Sequence, residues 1–291
     1  MTRILVIVVT YNGMRWIERC LNSLLQSSLV PDVFILDNDS KDGTADYIEE
    51  HYPQMHLARC NHNSGFAGGN NIGFQYALEK GYDYVYLMNQ DAWVLPDTLR
   101  TLVEIQQRHP EFAVLSPMQK QADGEHFNRA FGRDVVPAAI PVKGEPALSE
   151  VQYVMAAHWL MSRQCLERIG LFASLFPIFG NDDNYCQRIH FHGMKMGIVT
   201  SVDAIHDHIY RSDRPIDQVV YQNYYMASLV RLCNINRPII VPLLLLLPYT
   251  VVKTARYHSW LPWRRLIDVL GHMKTVLRTR RITRLDIPQA V

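Results

Sequence analysis

Apolar residues in the first part of the chain fall into short continuous runs, and each run gives way to a polar cluster and then to apolar positions at helical spacing. Residues 3–10 form a β-branched run ending in Thr10-Tyr11-Asn12-Gly13, after which Ile17, Cys20, Leu21, Leu24 and Leu25 mark one face of a helix. Residues 33–36 end in Asp37-Asn38-Asp39-Ser40-Lys41-Asp42-Gly43-Thr44 and lead into a helix through Tyr47 and Ile48. Residues 55–60 are followed by a Gly- and Asn-rich stretch from Asn61 to Asn71, then by a helix to Glu79 that Gly81 caps. The fourth run, 84–88, is aromatic and uncharged, and it stops abruptly at Asn89-Gln90-Asp91. This succession of strands and helices predicts right-handed crossovers and an α/β fold with a Rossmann-like, doubly wound, mostly parallel sheet. In such sheets ligands bind at the carboxyl ends of the strands, which is where the polar clusters fall.

The pattern weakens after a further strand at 112–116. Residues 119–150 show little periodicity and several Gly, Pro and charged positions, and they read as a long surface loop or flap. Order resumes at 151–161, and 163–169 form a short helix closed by Gly170. An aromatic loop, Phe176-Pro177-Ile178-Phe179-Gly180, then delivers Asn181-Asp182-Asp183-Asn184 to the start of a helix reaching His192. Two adjacent carboxylates there suit a catalytic base, and they equally suit capping and the helix dipole. Residues 195–199 predict a strand. His206-Asp207-His208 follows, with both histidines on one face of an extended segment. One of them can join Asp91 at a metal ion while the other is structural.

The net charge of +1 conceals an asymmetry, because residues 253–291 carry nine Lys or Arg against only Asp268 and Asp286. The five cysteines, Cys20, Cys60, Cys165, Cys186 and Cys233, include no Cys-x-x-Cys pair, which argues against a zinc site or a disulfide framework and for a reducing cytoplasm. The first apolar run lacks a small-residue cleavage site after it and reads as a strand rather than a leader. Gly65 to Gly69 is neither a Gly-x-Gly-x-x-Gly fingerprint nor a phosphate-binding loop ending in Lys-Ser/Thr, which sets aside a dehydrogenase and an ATPase.

Four motifs carry a more specific signal in combination: Val9-Thr10-Tyr11-Asn12, Asp37-Asn38-Asp39-Ser40 with Asp42-Gly43-Thr44, Gly65-Phe66-Ala67-Gly68-Gly69-Asn70-Asn71, and Asn89-Gln90-Asp91. Through them residues 4–208 resemble the family 2 glycosyltransferases of the GT-A fold, especially rhamnosyltransferase-like members. The resemblance implies an inverting transferase that moves a sugar, rhamnose in that branch, from a nucleoside-diphosphate donor to a bacterial surface glycan. It puts the nucleotide on Thr10, Tyr11 and Asp37, with Asn12, Asn38, Ser40, Gly65, Phe66, Gly69, Asn70, Asn89 and Gln90 completing the donor side. Asp91 corresponds to the second carboxylate of the family's Asp-x-Asp motif, and Asn89 replaces the first. Mg²⁺ or Mn²⁺ is the implied cofactor, on Asp91, and the His-x-His spacing adds His206 as the candidate second ligand with His208 as its alternative. Aligned on Arg188, Asp182 falls on the general base and Asp183 is the alternative, while Asn181 and Asn184 stand where the family has acids. Those amides motivate a second reading, a sugar-nucleotide-binding partner subunit without turnover.

Residues 1–237 are then expected to form the transferase domain, with a nucleotide-binding half at 1–117 and an acceptor-binding half at 118–237. Residues 238–291 form an extension. Its segment 238–252 is almost wholly apolar, contains Pro242 and Pro248, and falls short of the roughly 20 residues that span a bilayer. Trp260 and Trp263 beside Arg264 and Arg265 suit a headgroup region, so docking at the inner face of the cytoplasmic membrane is expected ahead of a homodimer contact. Nucleic acid is not expected as a partner. The expected donor is a thymidine- or uridine-type nucleoside-diphosphate sugar, and the expected acceptor is a glycan or lipid-linked glycan.

Overall fold

The computed structural model describes residues 2–208 and 214–285. Strands β1 (Ile4–Thr10), β2 (Asp32–Asp37), β3 (His56–Arg59) and β4 (Tyr84–Asn89) pair in parallel in the order β3-β2-β1-β4. Helices α1 (Ile17–Leu25), α2 (Thr44–His51) and α3 (Gly65–Lys80) connect them. β1 can be almost continuously apolar because helices cover both faces of the sheet: Ile4, Val6 and Val8 pack with the α1 and α2 residues, while Leu5 and Ile7 pack with Phe74 and Ala77 of α3. Glycine sets how closely α3 approaches. A Cβ on Gly69 would lie 2.7 Å from Val9 Cγ1, and one on Gly73 would lie 2.7 Å from the Ile7 side chain.

Beyond β4 the sheet becomes mixed. β5 (Ala92–Val94), α4 (Thr98–Arg108), β6 (Phe112–Lys120), β7 (Ile140–Val142), β8 (Glu145–Val151), β9 (His158–Ser162), α5 (Arg163–Ile169), α6 (Asn181–Phe191) and β10 (Lys195–His206) follow in the chain. β9 lies antiparallel between β4 and β6, and β10 runs parallel to β6 and antiparallel to β8 and β5. Two expectations need correcting here. Residues 119–150 are not simply a surface flap: Phe131, Val135 and Leu148 are fully buried, and β7 and β8 form an edge hairpin turning at Gly144. Pro141 and Pro146 are tolerated because they lie near the sheet edge, and they are also what masked the strands in the sequence. Residues 151–161 are not one element either, since β8 ends at Val151 and β9 starts at His158.

After β10 the chain is helical. α7 (Ile216–Val220), a π-helical turn at Tyr221–Met226 and α8 (Ala227–Cys233) run on continuously, followed by α9 (Ile240–Tyr257), α10 (Leu261–Gly271) and α11 (Met273–Ile282). They build a third hydrophobic core that takes in Phe176, Tyr224, Leu229, Leu246, Leu266 and Val276 and so crosses position 237. The prolines do not break the apolar run as its sequence suggested. α9 is one helix of 18 residues, long and apolar enough to cross a membrane by length and composition alone. Its Pro242, Leu246 and Thr250 are nonetheless buried, Leu246 in the third core, with the Thr250 and Tyr224 hydroxyls hydrogen-bonded to each other.

Candidate active site

β1, β2 and β4 end level with one another, Thr10 opposite Asp37 and Val9 opposite Asn89. The polar residues that follow mostly brace one another. Thr10 Oγ1 donates to Asp37 Oδ1 at 2.9 Å and the Ser40 amide to Asp37 Oδ2 at 3.0 Å, so a buried carboxylate joins two strand ends. The Gln90 side-chain amide both accepts from the Tyr11 amide and donates to the Tyr11 carbonyl. Asn12 adopts a positive φ of 50° and accepts from the Lys41 amide, and its own amide donates to Ser40 Oγ. Asn38 reaches the Gly65 carbonyl and accepts from Ser64, which fixes the start of α3.

Of the donor-side residues expected from the sequence, Tyr11 and Asn12 are exposed, and Ser40, Phe66, Asn89 and Gln90 are half-buried. Thr10, Asp37, Asn38, Gly65, Gly69 and Asn70 are buried. Gly69 packs on Val9 and Leu36, and Asn70 donates back to the Phe66 carbonyl. The glycine loop therefore works first as a close helix–sheet contact.

The end of β4 meets the end of β10. The Asp207 amide donates to the Asp91 carbonyl at 2.8 Å, and the Asp207 carboxylate accepts from Trp16 Nε1, turning that side chain away. Asp91, His206 and His208 each offer a ligand atom, and the three atoms lie within 4.8 Å of one another. His206 Nε2 is buried, makes no hydrogen bond and stands 3.5 Å from Asp91 Oδ1. His208 Nδ1 stands 4.0 Å from Asp91 Oδ2. One histidine was expected at the metal and the other in a structural role; instead both face Asp91. Burial raises the Asp91 pKa, but the imidazoles outweigh it and the carboxyl is held below its ordinary value. An orphaned buried imidazole nitrogen beside an ionised carboxylate is a donor set that fits a divalent ion.

Behind this group sits a residue the sequence did not single out. His158, fully buried, accepts from the Tyr86 hydroxyl at Nδ1 and donates from Nε2 to the carbonyl of Ile205, next to His206. Burial pushes its pKa down to about 3, so it is neutral. A lone histidine in an apolar run gave no signal of this role.

α6 carries the carboxylate pair. Gly180, at φ 79°, turns the chain into the helix where a Cβ would strike Val230. Asn181 secures the aromatic loop through the Ile178 carbonyl. Asp182 is half-buried and Asp183 exposed at the rim. Asp182 Oδ2 accepts from the Tyr153 hydroxyl at 3.0 Å and Oδ1 from the Asp183 amide at 2.9 Å. Burial raises the pKa of Asp182; partial desolvation of the carboxyl group, although the residue as a whole is exposed, and then the Asp182 charge raise that of Asp183. Of the aromatic loop before α6, Phe176 lies in the third core, while Ile178 and Phe179 are exposed and line one cavity with Asp182. Arg188 is buried further along α6 and donates to the carbonyls of Ile169 and Leu171, which pins the end of α5.

Tyr153 also links the two groups. The segment from Tyr153 to Ala157 leads into β9, and the Ala157 carbonyl accepts from the Asn89 amide at 3.2 Å. Asp182 is thus linked through Tyr153 and this segment to the carboxyl end of β4, two residues before Asp91. Both α6 carboxylates line a cavity of about 740 Å³ whose far wall is α8 and α9.

Residues 5–170 match the model of glycosyl transferase family 2. The chain belongs to that family. A hexosyltransferase of low-salt glycan biosynthesis, Agl10 of Haloferax volcanii, is 24% identical over 232 residues, covering 77% of this chain and 71% of that protein. An N-acetylglucosaminyl-diphospho-decaprenol L-rhamnosyltransferase of Mycobacterium tuberculosis is 30% identical over 135 residues, 43% of this chain and 44% of that protein. Among solved structures, residues 1–349 of S. aureus TarS in complex with UDP-GlcNAc superpose with a TM-score of 0.62 at 15% identity, covering 96% of this chain and 83% of that one. The Pyrobaculum calidifontis mannosyltransferase PcManGT in complex with GDP-Man and Mn²⁺ gives 0.57 at 17% identity, covering 97% and 86%. The fold is GT-A with a C-terminal helical extension, and the chain is a glycosyltransferase.

Proposed function

We propose that the chain is an inverting transferase that moves a sugar, with rhamnose the leading candidate, from a thymidine- or uridine-diphosphate donor to a lipid-linked surface glycan. The observation that carries this reading is the connection from Asp182 through Tyr153 and Ala157 to Asn89, which links a carboxylate of raised pKa to the carboxyl end of β4, two residues before Asp91. Asp182 takes the proton of an acceptor hydroxyl in the cavity as that oxygen attacks the anomeric carbon and the nucleoside diphosphate leaves from the opposite face. The Tyr153 hydroxyl and the Asp183 amide orient the carboxylate. Tyr11 and Asn12 receive the nucleoside, and Asp37, held by Thr10 and Ser40, offers its remaining lone pairs to a pyrimidine imide. Mg²⁺ or Mn²⁺ held by Asp91, His206 and His208 would neutralise charge on the departing diphosphate. The M. tuberculosis relative, by its name, transfers L-rhamnose to a diphospho-decaprenol-linked sugar, which supports both the donor sugar and the acceptor class.

Leu244, Leu247, Val251 and Trp260 are exposed on the basic extension, and this face docks on an anionic membrane where such acceptors reside. The donor half of the reading is tested by thermal unfolding with a panel of nucleotide sugars, with and without Mn²⁺. A thymidine- or uridine-diphosphate sugar should raise the melting temperature only when Mn²⁺ is present, and Asp91→Ala should lose that increment. No stabilisation by any nucleotide sugar, or an Asp91→Ala response equal to wild type, would overturn it.

A further inference from the structure

The far wall of the α6 cavity is cationic. Arg231 of α8 and Lys253 and Arg256 of α9 line it, and no carboxylate among the described residues lies within salt-bridge distance of any of the three. Two of them are held by aromatic rings. The Arg231 guanidinium lies 4.0 Å over Tyr249, and Lys253 Nζ lies 5.2 Å from the same ring and 3.4 Å from the Tyr257 hydroxyl.

Arg231 also lines a second, apolar groove of about 460 Å³ together with Val241, Leu245, Pro248 and Val252. On α9 those four positions recur at intervals of three and four residues, so they form one stripe, and the next step along it is Arg256. One helix face therefore runs from apolar to cationic over roughly 22 Å, and its cationic end opens on Asp182 and Asp183.

We infer that this face is the acceptor slot for an amphiphile: a sugar joined through a phosphate or diphosphate to a hydrocarbon chain. The sugar sits at Asp182, the phosphate oxygens pair with Arg231, Lys253 and Arg256, and the chain lies along Val241, Leu245, Pro248 and Val252. Charge complementarity selects this occupant. Three cations without a carboxylate partner that line one open cavity attract an anion, and an apolar groove continuous with them favours a ligand with a tail attached. The inference rests on the transferase reading and assigns residues to the subsite for its lipid-linked acceptor.

The test measures binding of farnesyl diphosphate, farnesol and inorganic diphosphate to the full chain by calorimetry in EDTA, which removes any metal-held diphosphate from the donor side. UDP and dTDP binding with Mn²⁺ is measured beside it. Farnesyl diphosphate should bind at least about tenfold more tightly than either fragment. The double variant Lys253→Gln/Arg256→Gln should lose about tenfold or more, and Lys253→Arg/Arg256→Lys should keep the affinity. Farnesyl diphosphate binding that is no tighter than that of farnesol, or that survives the Gln substitutions unchanged, would overturn the slot. Farnesyl diphosphate binding without nucleotide binding would support the slot and overturn the donor reading instead.

Discussion

Burial raises the Asp182 pKa, so the folded chain holds that proton at pH values where the unfolded chain has released it. Between an unfolded value of about 3.9 and the raised folded value, the native state binds more protons, and stability falls as pH rises through that window. The penalty is absent below the window and complete above it. Asp182→Asn removes the ionisation and should therefore melt above wild type at about pH 8, with the difference closing toward about pH 4. A variant that melts lower than wild type at the higher pH would show that the carboxylate supports the fold instead. Single residues were unevenly legible in the sequence. The Asp182-Asp183 pair stood out because two carboxylates follow an aromatic loop, and Asp91 because it ends an uncharged run. Tyr153 and His158 did not, because each acts through a contact between segments distant in sequence: Tyr153 with Asp182, and His158 with Tyr86 and Ile205. Arg188 was legible as an alignment landmark, but its hold on the Ile169 and Leu171 carbonyls required the fold.

At the scale of elements, β1, β2 and β4 were readable because strands covered on both faces need continuous apolar runs. β7 and β8 were not, because edge strands interrupted by proline share the composition of a loop. The Asn- and Gly-rich loops were located correctly, but most of their side chains spend their hydrogen bonds on neighbouring loops, as Gln90 does on Tyr11 and Asn38 on Gly65. α9 shows the same divide between composition and context. Its leucines read as one apolar block, whereas the fold buries Leu246 and leaves Leu244 and Leu247 exposed. The membrane reading is therefore tested on the outer face alone. Leu244→Gln/Leu247→Gln/Val251→Gln should abolish co-sedimentation with anionic liposomes at low salt while leaving the melting temperature within a few degrees, as expected for surface positions. Wild-type protein that stays in the supernatant would favour a contact between two copies instead.

Across the whole molecule, the boundary expected near 237 separates less than the sequence suggested. The third core joins Phe176 and Tyr224 to Leu246, Leu266 and Val276, and Arg280 donates to the Leu232 and Arg237 carbonyls, so cutting after Arg237 would remove Leu246, Leu266, Val269 and Val276 from that core. That packing also forms the cavity, with α6 as one wall and α8 and α9 as the other. The central claim is that this arrangement transfers sugar with Asp182 as its base. The most direct test measures transfer rate and donor affinity side by side for wild type, Asp182→Asn and Asp183→Asn, with a diphosphate-linked lipid acceptor. The account predicts that Asp182→Asn loses roughly 10²–10⁴-fold in rate at nearly unchanged donor affinity, and that Asp183→Asn is much milder. Undiminished transfer by Asp182→Asn, or the larger loss falling on Asp183→Asn, would contradict it.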